Sequence, residues 1–176
     1  CLKNSFTNTS GMSSCYSCQI GKKSDPGSAK CTSCGAGEAG TGVNGTCLPC
    51  TKGQYREADD ELVTSCTKCG IGQYMGGGGA VNCLDCNPGT YENDTGSTKC
   101  KDCQEGRHQI LSGNTSCAQC DAGQYMGVVG AVNCLDCNSG TYEDKQGATE
   151  CKVCLQNTFT NVSQQTVCLR CAAGKQ

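Results

Sequence analysis

Residues 87–103 read NPGTYENDTGSTKCKDC. This stretch contains what recurs along the chain: a glycine third after a cysteine pair, an aromatic fifth, a run of turn formers and a closing Cys-x-x-Cys. The pair appears as Cys15/Cys18, Cys31/Cys34, Cys47/Cys50, Cys66/Cys69, Cys83/Cys86, Cys100/Cys103, Cys117/Cys120, Cys134/Cys137, Cys151/Cys154 and Cys168/Cys171. Successive pairs begin 16, 16, 19 and then six times 17 residues apart. Self-similarity at a fixed short period marks a repeat architecture, in which each unit stacks on its neighbours to bury what it cannot bury alone. Cut after each second cysteine, the modules are 1–18, 19–34, 35–50, 51–69, 70–86, 87–103, 104–120, 121–137, 138–154 and 155–171, with 172–176 opening another.

Composition explains why a repeat is needed. Leu, Ile, Val and Phe together number 22 of 176 residues, and there is no Trp. That is too little for one large core. Cysteine supplies the substitute, at 21 residues. A disulfide closing a loop of about 15 residues is worth about 3 kcal/mol in the chain-entropy model. Bridges at this density persist in oxidising compartments, so the expected location is extracellular or at the cell surface. No apolar run is long enough to span a bilayer, so no membrane insertion is expected within these residues. A net charge of -2 without basic clusters argues against nucleic acid as a partner.

Inside the modules the glycine is Gly21, Gly37, Gly53, Gly72, Gly89, Gly106, Gly123 or Gly140, placed for a turn needing positive φ or a close backbone approach. The aromatic is Phe6, Tyr55, Tyr74, Tyr91, Tyr125, Tyr142 or Phe159. His108 takes its place in one module, and Lys23 and Ala39 break the pattern in two others. The aromatic is expected to pack on the adjacent disulfide or on the next module. Turn formers interrupt every module and no helical stripe survives, so the expected content is two very short strands per module. The long fourth module, through QYREADDELVTSC (residues 54–66), has room for one helical turn or a bulged loop. The predicted fold class is small disulfide-rich repeats with little regular structure beyond short β-hairpins, forming an extended rod or solenoid.

Two longer periods are superimposed. Residues 70–103 match residues 121–154 at 23 of 34 positions. CLKNSFTNTS at residue 1 returns as CLQNTFTNVS at residue 154, and the register holds to residue 175. The chain therefore reads as a window on a longer array.

The cysteine count is odd. Sequential loops account for it, joining the second cysteine of each motif to the first of the next: Cys1–Cys15, Cys18–Cys31, Cys34–Cys47, Cys50–Cys66, Cys69–Cys83, Cys86–Cys100, Cys103–Cys117, Cys120–Cys134, Cys137–Cys151 and Cys154–Cys168. Cys171 then pairs beyond the window. Interleaved pairing and strained bonds within Cys-x-x-Cys are the alternatives, since connectivity does not follow from sequence. Repeated Cys-x-x-Cys is also a zinc signature. A zinc array would normally bring more than the single histidine present here, and basic residues in excess of acidic ones. Redox chemistry would need a low-pKa thiolate at a helix N-terminus, which ten equivalent glycine-rich motifs do not supply.

Asn8, Asn44, Asn93, Asn114 and Asn161 each open an Asn-x-Ser/Thr sequon. Asn8, Asn93 and Asn161 stand two residues after the aromatic, and Asn44 and Asn114 stand three before a first cysteine. Repeated use of two loop positions fits N-glycosylation of a secreted protein. The acidic run Glu57, Asp59, Asp60, Glu61 lacks a calcium-loop ligand ladder and reads as a solvated insertion. Gly76–Gly79 reads as a loop tip, because no Walker lysine follows it. No nucleophile, base and acid come together, so no catalytic, cofactor-binding or metal-binding residues are assigned and the chain is not expected to be an enzyme.

The module G-x-Y-x(n)-C-x-x-C, as in GQYMGVVGAVNCLDC and GTYEDKQGATECKVC, resembles the ephrin-receptor-like cysteine-rich repeat and is similar to the growth-factor-receptor cysteine-rich class. The regular Cys-x-x-Cys array also resembles ciliate-type surface proteins. The resemblance implies a receptor ectodomain, a protist surface protein or an extracellular fibril protein. The expected function is a structural extracellular glycoprotein, a disulfide-stapled repeat rod forming a fibril, matrix or surface coat. Covalent N-glycans, and self-association or continuation into a fibre, go with that reading. The alternative is the stalk or ligand-binding ectodomain of a receptor, adhesin or surface antigen, with the irregular residues 19–69 as its binding surface.

Overall fold

The computed structural model describes residues 1–11, 13–40, 45–58 and 64–172. Among them there are no helices, and the regular structure is ten two-stranded hairpins, one per module. Of residues 54–66, with room for one helical turn or a bulged loop, 59–63 lie outside the described residues.

Each hairpin follows from local chemistry. In the sixth module Asn87–Thr90 forms a tight turn with Pro88 at its second position and Gly89, at φ 83°, at its third. Thr90 closes it by donating from both N–H and Oγ1 to the Asn87 carbonyl, at 3.0 and 2.7 Å. This is type II turn chemistry, in which the third residue needs positive φ. Thr90–Tyr91 then pairs antiparallel with Lys101–Asp102, the two residues inside the Cys-x-x-Cys. The Cys103 N–H donates back to the Gly89 carbonyl at 2.9 Å and ends the ladder. Modules 1 and 10 place Asn4 (φ 65°) and Asn157 (φ 64°) at the glycine position. Asparagine is one of the few residues with a side chain that enter this region readily.

The ten disulfides join the second cysteine of each motif to the first of the next, from Cys1–Cys15 to Cys154–Cys168, at sequence separations of 13 to 16. No interleaved or intra-motif bridge occurs among them. Their interior ends are the second cysteines: Cys69, Cys86, Cys103, Cys120 and Cys137 are fully buried. The sulfurs thus occupy the position that large aliphatic side chains hold in an ordinary core.

The chain divides into two compact units, Cys1–Leu84 with Asp94–Lys99, and Asp85–Asn93 with Cys100–Gln176. Within each, the same three backbone hydrogen bonds recur: two tie one module to the next, and the third reaches from that next module back to the cysteine that closes the module before the first. In the second unit, the Gly106 N–H donates to the Met126 carbonyl at 2.7 Å, the Gln109 N–H to Ala131 at 3.1 Å, and the Gly130 N–H back to Cys103 at 2.8 Å. In the first unit the same scheme runs from Gly53 to Met75 (2.8 Å), from Arg56 to Ala80 (3.1 Å) and from Gly79 back to Cys50 (2.8 Å).

The stacking also reaches one module further than a nearest-neighbour scheme. A Cβ on Gly53 would collide with the Gly96 carbonyl, and one on Gly106 with the Gly147 carbonyl, each two modules ahead. At Gly53 and Gly106 the turn glycine therefore serves both of its expected purposes at once, whereas Gly140 holds its positive φ in open space.

Candidate functional site

The aromatics flank the stack; they do not fill it. Six of the seven are half-buried and Phe159 is exposed. The buried position is the next residue along, occupied by Ser24, Arg56, Glu92, Met126, Glu143 and Thr160. Polar side chains are tolerated there because each finds a partner. Arg56, 1% exposed, donates from Nη1 to the carbonyls of Cys34, Gly35 and Glu38 at 3.1, 2.7 and 2.7 Å. Glu92 and Glu143 accept from Lys101 and Lys152, both at 2.8 Å. Thr160 Oγ1 accepts the Gly140 N–H at 2.8 Å.

Lys152 also pairs with Asp144 and lies 5.8 Å from the centre of the Tyr142 ring. The hydrogen bond from Lys152 holds the Asp144 carboxyl below the ordinary carboxylate range, and the same pairing raises the Lys152 ammonium above its usual value. Hydrogen bonds from Gln164 and Gln124 lower Asp136, and the bond from Lys23 lowers Glu38. Each of these charges is held by a neighbouring side chain.

Asn8, Asn93 and Asn161 are exposed. The Asn93 Oδ1 accepts from Lys101 Nζ at 2.6 Å, and Asn8 Oδ1 accepts from Thr9 Oγ1 at 3.2 Å. Asn114 is half-buried: its carbonyl accepts the Glu92 N–H at 3.1 Å and its Nδ2 donates to Leu111 at 3.3 Å. Asn44 lies outside the described residues, as do Asp59, Asp60 and Glu61 of the acidic run; Glu57 is exposed.

His108 Nδ1 lies 3.2 Å from Cys134 Sγ, and with Cys120 these make one cluster of potential metal donors. Both sulfurs belong to the Cys120–Cys134 disulfide, so neither is a thiolate. His108 therefore stands against the next module's disulfide, where an aromatic stands elsewhere. Cys171 is half-buried and has no disulfide partner among the described residues.

A shallow cleft recurs between hairpins. Its walls are the aromatic of one module and, from the next, the residue after the second cysteine, the first strand and the first cysteine. Tyr91, Gln104, Arg107 and Cys117 line one example, and Tyr142, Leu155, Thr158 and Cys168 another. Phe6, Gln19, Lys22, Lys30 and Cys31 line a third.

Ten hairpins, ten sequential disulfides and a repeated stacking scheme define a cysteine-rich repeat array. Residues 72–120 and 109–150 match the family described as tyrosine-protein kinase ephrin type A/B receptor-like. The matched residues cover the most regular modules, and the irregular modules 2 to 4 lie outside them. No curated protein matches the chain. Among the described residues no helix is long and apolar enough to cross a membrane.

The sequence pattern pointed to the cysteines, the sequons and the turn glycines. It did not mark the buried position after the aromatic, because Ser, Arg, Glu, Met and Thr share no chemistry. A second glycine stands seven residues after the first, as Gly79, Gly96, Gly113, Gly130 and Gly147, and only the stacking of modules gives that spacing a purpose.

Proposed function

We propose that this chain is a structural extracellular glycoprotein, a disulfide-stapled repeat array that builds a fibril, matrix or surface coat. Extracellular placement is favoured by the density of disulfides and by the likeness to an ephrin-receptor-like repeat. One observation carries the structural reading: the three inter-module hydrogen bonds recur with the same partners and nearly the same lengths from module to module. A scheme that any module can repeat on the next supports indefinite extension, as in other repeat arrays. The sequons at Asn8, Asn93 and Asn161 use one exposed loop position and suit glycans that keep such an array soluble. No enzymatic role, cofactor or metal is part of this reading.

Negative-stain microscopy of the native material is the test. Filaments that shorten or dissolve on thiol reduction are the expected result, and compact monodisperse particles would count against it. A stalk or ligand-binding ectodomain is the second reading. It is favoured by the irregularity of residues 19–69, where module length and the aromatic both vary.

A further inference from the structure

The recurring cleft is not chemically equal along the chain. Between modules 1 and 2 it carries two cations, Lys22 and Lys30. Both are exposed, and neither has an ion-pair partner among the described residues. Their neighbour Lys23 is engaged with Glu38 at 2.6 Å. In the equivalent cleft of modules 6 and 7, Arg107 is tied to the Cys117 carbonyl at 2.9 Å and Ser116 replaces Lys30. In modules 9 and 10 the two positions are Thr158 and Val167. The first cleft is also the roomiest, at about 370 Å³ against about 150 and 180 Å³.

Its remaining wall is an aromatic pair, Tyr16 exposed and Phe6 half-buried. Phe6 and Tyr16 face each other across the first hairpin with ring centroids 5.9 Å apart and planes at 43°, and Tyr16 is 53% exposed. Ser17 and Gln19 complete the rim with a hydroxyl and an amide. The cleft thus combines a hydrocarbon face, neutral hydrogen-bonding groups and two uncompensated positive charges.

We propose that this cleft binds an acidic sugar, a carboxylate- or sulfate-bearing residue of a polysaccharide. The apolar face of its ring lies on Phe6 and Tyr16, Ser17 and Gln19 meet its hydroxyls, and Lys22 and Lys30 meet its anionic group. An acidic peptide fits less well, because strand addition needs a long unpaired edge and these strands are two residues long. A nucleic acid strand fits less well, because two cations do not track a phosphate backbone. The proposal goes beyond the structural role and does not depend on fibre formation.

The experiment is calorimetric titration of the 176-residue chain, disulfides intact, with hexasaccharides of galacturonic acid, of a sulfated glucan and of neutral glucan. At least one acidic oligomer is expected to bind, about tenfold or more tightly than the neutral one, and more weakly at high salt. Which acidic oligomer binds separates carboxylate from sulfate recognition. Lys22→Gln with Lys30→Gln is expected to weaken binding about tenfold or more, and Tyr16→Ala to weaken it severalfold. Lys145→Gln, on another module, is expected to leave it unchanged. The proposal is overturned if neither acidic oligomer binds, if the double variant binds as tightly as the parent, or if a hexaglutamate peptide matches the best sugar. Since soluble chain is used throughout, failure here is distinct from failure of the fibril reading.

Discussion

Gly106 lies against Gly147, two modules further along, so closely that a methyl group on the first would overlap the carbonyl of the second. Gly106 also holds φ 73°. Gly106→Ala meets both obstacles and is expected to destabilise the chain by about 2–4 kcal/mol. Gly27→Ala, at φ 78° with open space around it, should lose only about 1 kcal/mol. Gly77→Ala, in open space at ordinary φ, should stay within about 0.5 kcal/mol of the parent. Guanidinium unfolding with disulfides intact checks the series. Equal effects for all three would refute the two-module contact.

Arg56 should be the most sensitive polar side chain in the first unit. Arg56→Ala removes the donor from three carbonyls in a buried site and is expected to destabilise by roughly 2–4 kcal/mol. Arg56→Met keeps volume and matches the residue that Met75 and Met126 supply elsewhere, so it should fall between parent and alanine. Hydrogen exchange at Gly37, whose N–H donates to the Arg56 carbonyl, reports the same loss locally.

Cys86→Ala with Cys100→Ala opens a bridge of sequence separation 14. The expected destabilisation is about 3 kcal/mol. It should be concentrated in module 6, and limited proteolysis should cut residues 87–99 first. Uniform unfolding of every module would show that the modules are more tightly coupled than their nearest contacts suggest.

The pH response should be shallow and two-sided. Glu38, Asp136 and Asp144 have lowered pKa values in the folded chain, so what they contribute is present above the ordinary carboxylate range and fades as pH falls through it. Lys152 is raised, so its contribution holds below the usual lysine value and fades only at strongly alkaline pH. These charges are at the surface, so the unfolding midpoint should move little between about pH 5 and 9. A steep loss near neutrality would contradict this assignment of the charges.

Glycopeptide mapping of secreted material should find glycans at the exposed Asn8, Asn93 and Asn161. Asn114 should be less occupied, because its backbone joins the inter-module ladder and its Nδ2 is engaged by Leu111. Full occupancy at Asn114 with none at Asn93 would reverse that ranking.

Much of the module is legible in its sequence. G-x-Y and Cys-x-x-Cys mark the two short strands because a positive-φ turn and a disulfide are written in residue type. The loop acceptors Ala80, Ser97, Asn114, Ala131 and Ala148 could not be read, because they take part through the carbonyl that every residue carries. The buried position beside each aromatic could not be read for a related reason. Tyr91 is the most visible residue of its module, yet Glu92 beside it is buried, held by Lys101.

The sequence by itself determined the repeat, its period, the hairpin chemistry and the substitution of disulfides for an aliphatic core. Each of these depends on residue identity within one module. The tertiary structure decided how modules contact one another: the three recurring bonds, the glycine pairs two modules apart, and the grouping of Phe6, Tyr16, Lys22 and Lys30 around one cleft. Those contacts join separate modules through backbone groups and shape, and neither is encoded in a single repeat.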